Sequence, residues 1–216
     1  MTASPLSFYP PMFLIIPAAF IMGSIPFGLL TTKNKGIDLR AAGSKNIGAT
    51  NVLRTAGKWP ALLTLLGDVL KGVIPVLICS YIVAAKIPAE NTELLNAAKD
   101  LWGGIAGLSA VAGHIFSVFL SFKGGKGVAT GLGVLIAYSP LTAAATLLIW
   151  ISIAAITRYS SLAAIIAVGA LPVTFRLLDH SNIKIIFGIL LAVLIVYRHK
   201  ENIKRLVKGE ESKIGR

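Results

Sequence analysis

Residues 59–85 read WPALLTLLGDVLKGVIPVLICSYIVAA and contain only two charged side chains, Asp68 and Lys71. A helix that crosses a bilayer needs about 20 mostly apolar residues, so this run predicts a membrane span. Similar segments lie near 11–31, 100–121, 128–139, 140–157, 160–178 and 183–198. The segment at 128–139 is short, and only Ser139-Pro140 separates it from the next one. We therefore expect an all-α polytopic membrane bundle of about seven transmembrane helices, with five or six as alternatives, and a single domain over residues 1–216.

Composition and charge support this class. Of the 216 residues, 55% are hydrophobic and only 14% are charged, far from the composition of an ordinary soluble domain. Sixteen of the 21 cations lie in loop 32–58, at Lys123, Lys126 and Arg158, or in the tail 198–216, against four on the other side. Because lysine and arginine favour the cytoplasmic side, the sequence predicts that these loops and the C-terminus face the cytoplasm, with the N-terminus outside.

The charge distribution and the few cysteines and histidines argue against several kinds of ligand. The net charge of +12 reflects topology and contact with anionic lipid head groups, whereas nucleic acid is not expected, because the cations are not gathered on one soluble face. Cys79 is the only cysteine, lies in an apolar run and is interpreted as packing. The three histidines form no zinc pattern, so we expect no metal and no cofactor.

No cation precedes Lys33, which favours a retained first span over a cleaved signal.

Two glycine-rich stretches interrupt the apolar chain: GSKNIGATN at residues 43–51 and FKGGKGVAT at residues 122–130. Glycines allow backbone N–H groups to converge on an anion, and a helix that begins just afterwards adds its positive dipole end. The first stretch offers side-chain donors from Ser44, Asn46, Thr50 and Asn51, with Arg54 one turn later. The second places Lys126 at a helix N-terminus. Both stretches therefore predict phosphate sites on the cytoplasmic side.

Neither stretch matches a nucleotide loop, since both lack the Walker A pattern and G-x-G-x-x-G. A simpler alternative is that each is a tight turn with a topology anchor. The spacings Gly103-x-x-x-Gly107 and Gly127-x-x-x-Gly131 can also serve close helix packing.

Five polar residues within or beside the spans are further candidates. Asp68 and Lys71 share a helix face and are expected to form an interior ion pair; alternatively, Asp68 orients Arg54 or Lys126. His114 lies about two turns before the second stretch, as an interior histidine or a hydrogen-bond partner of that loop. His199 and Asn202, also three residues apart, can contact a hydroxyl-bearing substrate together, or they are interface anchors.

Five motifs occur in order along the chain: residues 23–28 (GSIPFG), residues 43–54, Gly67-Asp68-x-x-Lys71-Gly72, residues 113–130, and Glu201-Asn202-Ile203-x-Arg205-Leu206. Together they resemble the bacterial acyl-phosphate:glycerol-3-phosphate acyltransferase family over nearly the whole chain. The sequence departs from the family pattern at two positions: Lys45 stands where glycine is usual, and Ser117 where proline is usual.

The resemblance implies a seven-helix enzyme of the bacterial inner membrane with a cytoplasm-facing site and no cofactor. Such an enzyme transfers a fatty acyl group from acyl phosphate to the 1-hydroxyl of glycerol 3-phosphate, which yields lysophosphatidic acid and inorganic phosphate as the first step of phospholipid synthesis. By the same resemblance, Ser44, Lys126, His199 and Asn202 are catalytic, and the proton leaves through His199 or a substrate phosphate. The implied substrate-binding residues are Gly48, Ala49, Thr50, Arg54, Gly124, Gly125 and Ser161, with Asp68, Lys71 and His114 in support.

Two other classes compete with this interpretation. A phosphate-ester carrier also uses interior charges and glycine-rich loops, but the sequence has no evident inverted repeat, and both stretches lie on one side. An acyl-CoA-dependent lipid enzyme is the second alternative, although neither His114 nor His199 has an aspartate five residues on. The sequence leaves open the acyl-chain length and whether the protein is a monomer or a dimer.

Overall fold

The computed structural model describes residues 10–215. Within that range the chain contains no β-strand and forms eleven α-helices: α1 (Ile15–Ser24), α2 (Phe27–Thr32), α3 (Ala49–Ala56), α4 (Lys58–Lys86), α5 (Thr92–Ile115), α6 (Val128–Tyr138), α7 (Pro140–Thr157), α8 (Ser160–Gly169), α9 (Leu171–Leu178), α10 (Asn182–Arg198) and α11 (Lys200–Val207). The predicted all-α membrane fold is confirmed.

The spans differ in detail from the seven that were predicted. In the described chain, Pro11–Lys35, Lys58–Lys86, Thr92–Leu120 and Pro140–Thr157 are each long and apolar enough to cross a membrane. The number rises to six if α8 with α9, bent by 45°, and α10 with α11, bent by 62°, each count as one span. The predicted segment at 128–139 is helix α6, whose 11 residues extend only about 16 Å, half of a hydrocarbon core of about 30 Å. Six spans, one of the predicted alternatives, agrees with the upper number of candidate spans, and seven stays a prediction.

Helix α11 differs from the apolar helices before it. Its sequence KENIKRLV carries four charged residues, and the sharp bend at His199 turns it away from the axis of α10. Charged residues are costly inside the hydrocarbon layer, so we expect α10 to supply the span and α11 to lie at the membrane surface. The bend places His199 between the apolar helix and the charged one.

The long helix α4 shows which way its faces point. Leu63, Leu66 and Leu70 are about half exposed on its outer face, and their spacing of three and four residues follows one side of a helix. Asp68 and Lys71 lie on the opposite face and are each 2% exposed. The apolar face is thus turned toward lipid and the charged face toward the protein interior.

Asp68 and Lys71 form the predicted ion pair. Lys71 Nζ lies 2.7 Å from Asp68 Oδ1 and donates to the carbonyl of Ile25 at 2.9 Å, in the break between α1 and α2. His114 Nδ1 of α5 lies 3.6 Å from the same carboxylate. These contacts join α4 to α5 and to the α1–α2 break. They differ from the alternative in which Asp68 orients Arg54 or Lys126.

Glycines allow α6 to pack closely despite its shortness. A Cβ on Gly72 of α4 would overlap a backbone carbonyl of α6, and one on Gly133 of α6 would overlap a backbone carbonyl of α4. Gly103 and Gly107 of α5 lie against side chains of α6, as the close-packing interpretation of that spacing predicts. The half-length helix is therefore held between α4 and α5, which positions the loop before it.

Cys79 packs as predicted. It is fully buried in an apolar cluster that includes Val83, Ala98 and Trp102. The interpretation of this thiol as a packing residue is confirmed.

Candidate active site

One cavity of about 430 Å³ brings the two glycine-rich stretches together at one end of the bundle. The sequence-predicted residues on its wall come from six regions of the chain: Ser44, Gly48, Ala49, Thr50, Arg54, Asp68, His114, Lys126, Ser161, His199 and Asn202. Its remaining wall is largely apolar and includes Leu62, Leu65, Leu132, Leu147, Trp150 and Leu191. A polar end and an apolar groove therefore belong to the same space.

The first stretch presents the start of a helix to this cavity. Helix α3 begins at Ala49, and its N-cap, Gly48, makes no side-chain capping bond. The first amides of a helix have no acceptor within the helix, and its dipole makes this end positive. Gly48, Ala49 and Thr50 all line the cavity. This end of α3 thus has the geometry of the predicted anion site.

Asn51 has a different role from the one predicted. Its side-chain amide donates toward the carbonyls of Leu39, Ala42 and Asn46, and its Oδ1 accepts from the backbone N–H of Ser44 at 2.8 Å. With these bonds made, and with 1% exposure, Asn51 has no donor left for an anion. It holds the loop in shape from the inside.

The two departures from the family pattern fit their backbone positions differently. Lys45 has φ of 56°, a left-handed conformation that favours glycine and costs other residues about 1–2 kcal/mol. Ser117 has φ of −57°, close to the value that proline fixes. Its hydroxyl donates to the carbonyl of Ser24 at 2.6 Å. Lys45 therefore strains the first loop, whereas Ser117 replaces the rigidity of proline with a hydrogen bond.

Gly124 and Gly125 were expected to bind the anion, but their N–H groups have other acceptors in this structure. Their N–H groups donate to the carbonyls of Ile115 and His114, both at 3.0 Å, so these donors are occupied. A Cβ on Gly125 would overlap the ring of His114. The two glycines pack the loop against the end of α5 and thereby position Lys126, the next residue.

Lys126 lines the cavity between the two stretches. Its pKa is lowered from the usual lysine value to about 8. Burial is the main cause of the lowered pKa. The guanidinium groups of Arg205, Arg198 and Arg54 lower the pKa further, whereas the carboxylate of Glu211 raises it. The site therefore concentrates positive charge around one half-buried ammonium group, which favours an anionic ligand.

His199 and Asn202 lie together, as their spacing predicts. Both are buried, 2% and 3% exposed. His199 Nδ1 lies 2.8 Å from the carbonyl of Ile195, which can only accept, so Nδ1 carries the proton and Nε2 is an acceptor. The pKa of His199 is lowered to about 4, mainly by burial. The positive charge of Lys126 also lowers it, whereas the hydrogen bond to Ile195 raises it. The imidazole is thus neutral near pH 7.

Arg198 contacts the loop that carries Lys126, although it was not predicted as a site residue. Its guanidinium donates to the carbonyls of Gly124 and Gly125 at 3.2 and 3.3 Å. The side chain thereby ties the end of α10 to the loop that carries Lys126. Its sequence signal was only its place beside His199, where a cation at a membrane boundary is ordinary.

No group of three His, Cys, Asp or Glu residues suited to a metal ion occurs among residues 10–215. The polar donors around the cavity are cations, hydroxyls, amides and backbone N–H groups. Such a set binds anions.

The sequence pattern of glycerol-3-phosphate acyltransferases matches residues 13–209. The chain belongs to the glycerol-3-phosphate acyltransferase family. The glycerol-3-phosphate acyltransferase of Geotalea daltonii is 44% identical over 198 residues, which are 92% of this chain and 95% of that protein. Two crystal structures of PlsY (YgiH), an integral membrane glycerol 3-phosphate acyltransferase, are also similar. Its glycerol 3-phosphate form has a TM-score of 0.81 at 39% identity, with 94% of this chain and 96% of the other covered. Its lysophosphatidic acid form has a TM-score of 0.79 at 38% identity, with 94% and 95% covered.

Beyond the region matched to the acyltransferase family, the chain returns to the cavity. Gly209 has φ of 72° and turns the chain back after α11. Glu211 then places its carboxylate among three donors: Oε1 accepts from Ser161 at 2.7 Å and Asn202 at 2.6 Å, and Oε2 accepts from Arg205 at 2.7 Å. Burial raises the pKa of Glu211, but these hydrogen bonds outweigh it and hold the pKa below its usual value. Glu211 was not predicted from the sequence, in which the tail stands out only for its cations.

Proposed function

We propose that this member of the glycerol-3-phosphate acyltransferase family takes its acyl group from an acyl phosphate. Transfer to the 1-hydroxyl of glycerol 3-phosphate would give lysophosphatidic acid and inorganic phosphate. The observation that carries the proposal is the shape of the cavity, which joins an anion-binding polar end to an apolar groove between helices. Two phosphorylated substrates and one acyl chain need that combination.

The two phosphate groups would bind to different parts of the polar end. The acyl phosphate lies at the N-terminus of α3, where the helix dipole and the first amides favour a negative charge. Its acyl chain follows the apolar wall. The proposed ligands of the acyl phosphate are Ser44, Gly48, Ala49, Thr50 and Lys126, and those of glycerol 3-phosphate are Arg54, Lys126, Ser161, His199 and Asn202.

The chemistry asks little of the protein beyond position and charge. An acyl phosphate is a mixed anhydride and is already activated, so the reaction needs no covalent enzyme nucleophile. Holding the hydroxyl against the carbonyl carbon lowers the entropic part of the barrier. Donors aimed at the tetrahedral oxygen and at the departing phosphate stabilise the charge that develops there. Lys126, which belongs to both proposed sites, is placed to serve this second purpose.

The proton has a defined route in this scheme. The hydroxyl oxygen forms a bond to the carbonyl carbon, the bond from that carbon to the phosphate oxygen breaks, and the hydroxyl proton ends on the departing phosphate. His199, whose pKa of about 4 makes it a weak base, accepts the hydrogen bond of the hydroxyl through Nε2 and orients it. Asn202 shares that task.

We further propose that residues 1–216 form a single acyltransferase domain in the bacterial cytoplasmic membrane, surrounded by its lipids. The active site and the C-terminus would face the cytoplasm, with the N-terminus outside. Three contacts support a common side for the cation-rich segments: Arg54 donates to the carbonyl of Ser212 at 3.1 Å, Arg158 to that of Ile214 at 2.9 Å and Arg198 to that of Gly124. Lys184, from the cation-poor set, instead pairs with Asp179 at 2.6 Å.

A donor assay tests the proposal. Protein purified in detergent is mixed with glycerol 3-phosphate and either palmitoyl phosphate or palmitoyl-CoA, and both phosphate release and lysophosphatidic acid are followed. We expect one phosphate per lysophosphatidic acid with palmitoyl phosphate and no product with palmitoyl-CoA. Product from palmitoyl-CoA alone would refute the acyl phosphate donor, and no product from either would favour a carrier.

The pH dependence of kcat/KM for glycerol 3-phosphate provides a second test. Because kcat/KM reports groups of the free enzyme and Lys126 has a pKa of about 8, its ammonium group is charged below pH 8 and loses its charge above it. We expect kcat/KM to fall above about pH 8. In Lys126→Arg the fall should move to higher pH, since arginine stays charged; an unchanged alkaline limb would exclude Lys126 as its origin.

A further inference from the structure

We propose that the C-terminal tail, residues 209–215, is an intramolecular competitor of glycerol 3-phosphate, with the Glu211 carboxylate in the space that this substrate would occupy. This rests on the proposed function for the site. The tail would have to leave before the acceptor binds, so Glu211 would set the affinity of the enzyme for its anionic substrate.

The first observation is what Glu211 contacts. Two of its three donors, Ser161 and Asn202, are proposed ligands of glycerol 3-phosphate, and the third is a guanidinium group, that of Arg205. A carboxylate that accepts from a hydroxyl, an amide and a guanidinium reproduces the contacts of a phosphate monoester. The charge of Glu211 also acts on Lys126, where it partly offsets the lowering of the lysine pKa by burial.

The second observation is how the rest of the tail is held. Arg54, another proposed phosphate ligand, donates to the carbonyls of Ser212 and Lys213 at 3.1 and 3.2 Å, while its Nε is buried without a hydrogen-bond partner. Further along, Ile214 and Arg158 bond to each other twice, at 2.7 and 2.9 Å. The guanidinium of Arg54 donates here to neutral carbonyl oxygens. A phosphate can replace them, because hydrogen bonds from a guanidinium to a charged acceptor are stronger.

Charge explains why the competition is reversible. Glu211 offers one negative charge and two oxygens, whereas a phosphate monoester near neutral pH offers almost two charges and three oxygens. The phosphate can therefore engage Lys126 and Arg54 in addition to the donors that Glu211 uses. Glycerol 3-phosphate displaces the tail at sufficient concentration, and the tail raises the apparent Kd for this substrate.

The tail also lies at the edge of the family match and beyond the last helix. The match to the acyltransferase family ends at residue 209, and α11 ends at Val207. Deletion of residues 210–216 therefore removes no residue of the eleven helices described.

Binding of glycerol 3-phosphate to the detergent-purified protein, measured by calorimetric titration without any acyl donor, tests the proposal. We expect deletion of residues 210–216 to lower Kd at least about fivefold, and Glu211→Gln to lower it by a smaller factor. The matched control is Glu210→Gln, since Glu210 is the neighbouring glutamate and is exposed; its Kd should equal that of the unaltered protein.

The outcomes separate this proposal from the proposed function. An unchanged or weaker affinity in both the deletion and Glu211→Gln would overturn the competitor role. Failure of all variants to bind glycerol 3-phosphate would overturn the site assignment and the competitor role together. Intact binding without acyl transfer from palmitoyl phosphate would overturn only the donor assignment.

Limited proteolysis reports displacement of the tail directly. Trypsin cleavage after Lys213, followed by intact mass, should accelerate when glycerol 3-phosphate or inorganic phosphate is added, because Lys213 is released from Arg54. Glycerol, which has no phosphate, should have no effect. Equal cleavage rates with and without glycerol 3-phosphate would contradict displacement.

Discussion

Replacement of Lys126 with alanine is expected to lower kcat about 10²- to 10³-fold, the range seen when one stabilising donor is lost from a preorganised site. Lys126 is half-buried between the two glycine-rich loops and is the one side chain that we assign to both substrates. Its loss should remove stabilisation of the departing phosphate without unfolding the protein. Initial rates of phosphate release, together with size-exclusion profiles in detergent, provide the measurement.

Arg54→Ala is expected to have a comparable effect, with a larger share in the KM for glycerol 3-phosphate, because the guanidinium is assigned to that phosphate alone. The matched control is Lys123→Ala. Lys123 carries the same charge as Lys126 and Arg54 and lies in the loop of Lys126, but it is exposed and does not line the cavity, so its replacement should leave the rate unchanged. Activity like that of the unaltered enzyme in both Lys126→Ala and Arg54→Ala would refute the site assignment.

The second large effect concerns stability. Asp68→Asn should lower the free energy of unfolding by about 3–5 kcal/mol, because it leaves the Lys71 ammonium buried without its counter-ion. For a protein of this size that corresponds to a fall in Tm of roughly 6–20 °C. Thermal unfolding in detergent measures it. The double variant Asp68→Asn with Lys71→Met should recover much of the loss, since no charge then remains buried at this point.

The chain contains its own control for this prediction. Glu201 and Lys204 have the same i, i+3 spacing at 3.3 Å, but their side chains are 58% and 69% exposed, against 3% and 2% for Asp68 and Lys71. Exposed pairs contribute little, so Glu201→Gln should leave Tm nearly unchanged. Equal shifts in Glu201→Gln and Asp68→Asn would show that burial is not the cause.

Much of the fold could be predicted because apolar length is a local property. Each apolar segment is helical near its expected position, although segments 11–31 and 160–178 are each divided into two helices. The i, i+3 spacing sufficed to pair Asp68 with Lys71. Apolar length did not reveal that α6, with 11 residues, is too short to cross the hydrocarbon core by itself. Whether an apolar run crosses the membrane depends on its packing against neighbours, here the glycine contacts with α4 and α5, and composition alone does not contain those contacts.

The site was predictable to the extent that its residues recur in motifs. Ser44, Thr50, Arg54, Lys126, Ser161, His199 and Asn202 do share one cavity. The donor roles of Asn51 and of Gly124 and Gly125 were wrong for one reason: a polar group can satisfy the backbone instead of a ligand, and sequence does not reveal which. Glu211 was not predicted, because the turn after α11 that brings it back to Asn202 and Arg205, and its contact with Ser161 50 positions away, depend on the folded chain.

The bonds from Arg198 to Gly124 and Gly125 tie the Lys126 loop to the α10–α11 bend. The lysine that we propose to stabilise the leaving group and the histidine that we propose to orient the attacking hydroxyl are therefore held on a common frame. When the surrounding bilayer thins or thickens and the helices tilt, this frame should move as a unit. The spacing between nucleophile and leaving group would then stay constant while the groove for the acyl chain adapts to the lipid around it.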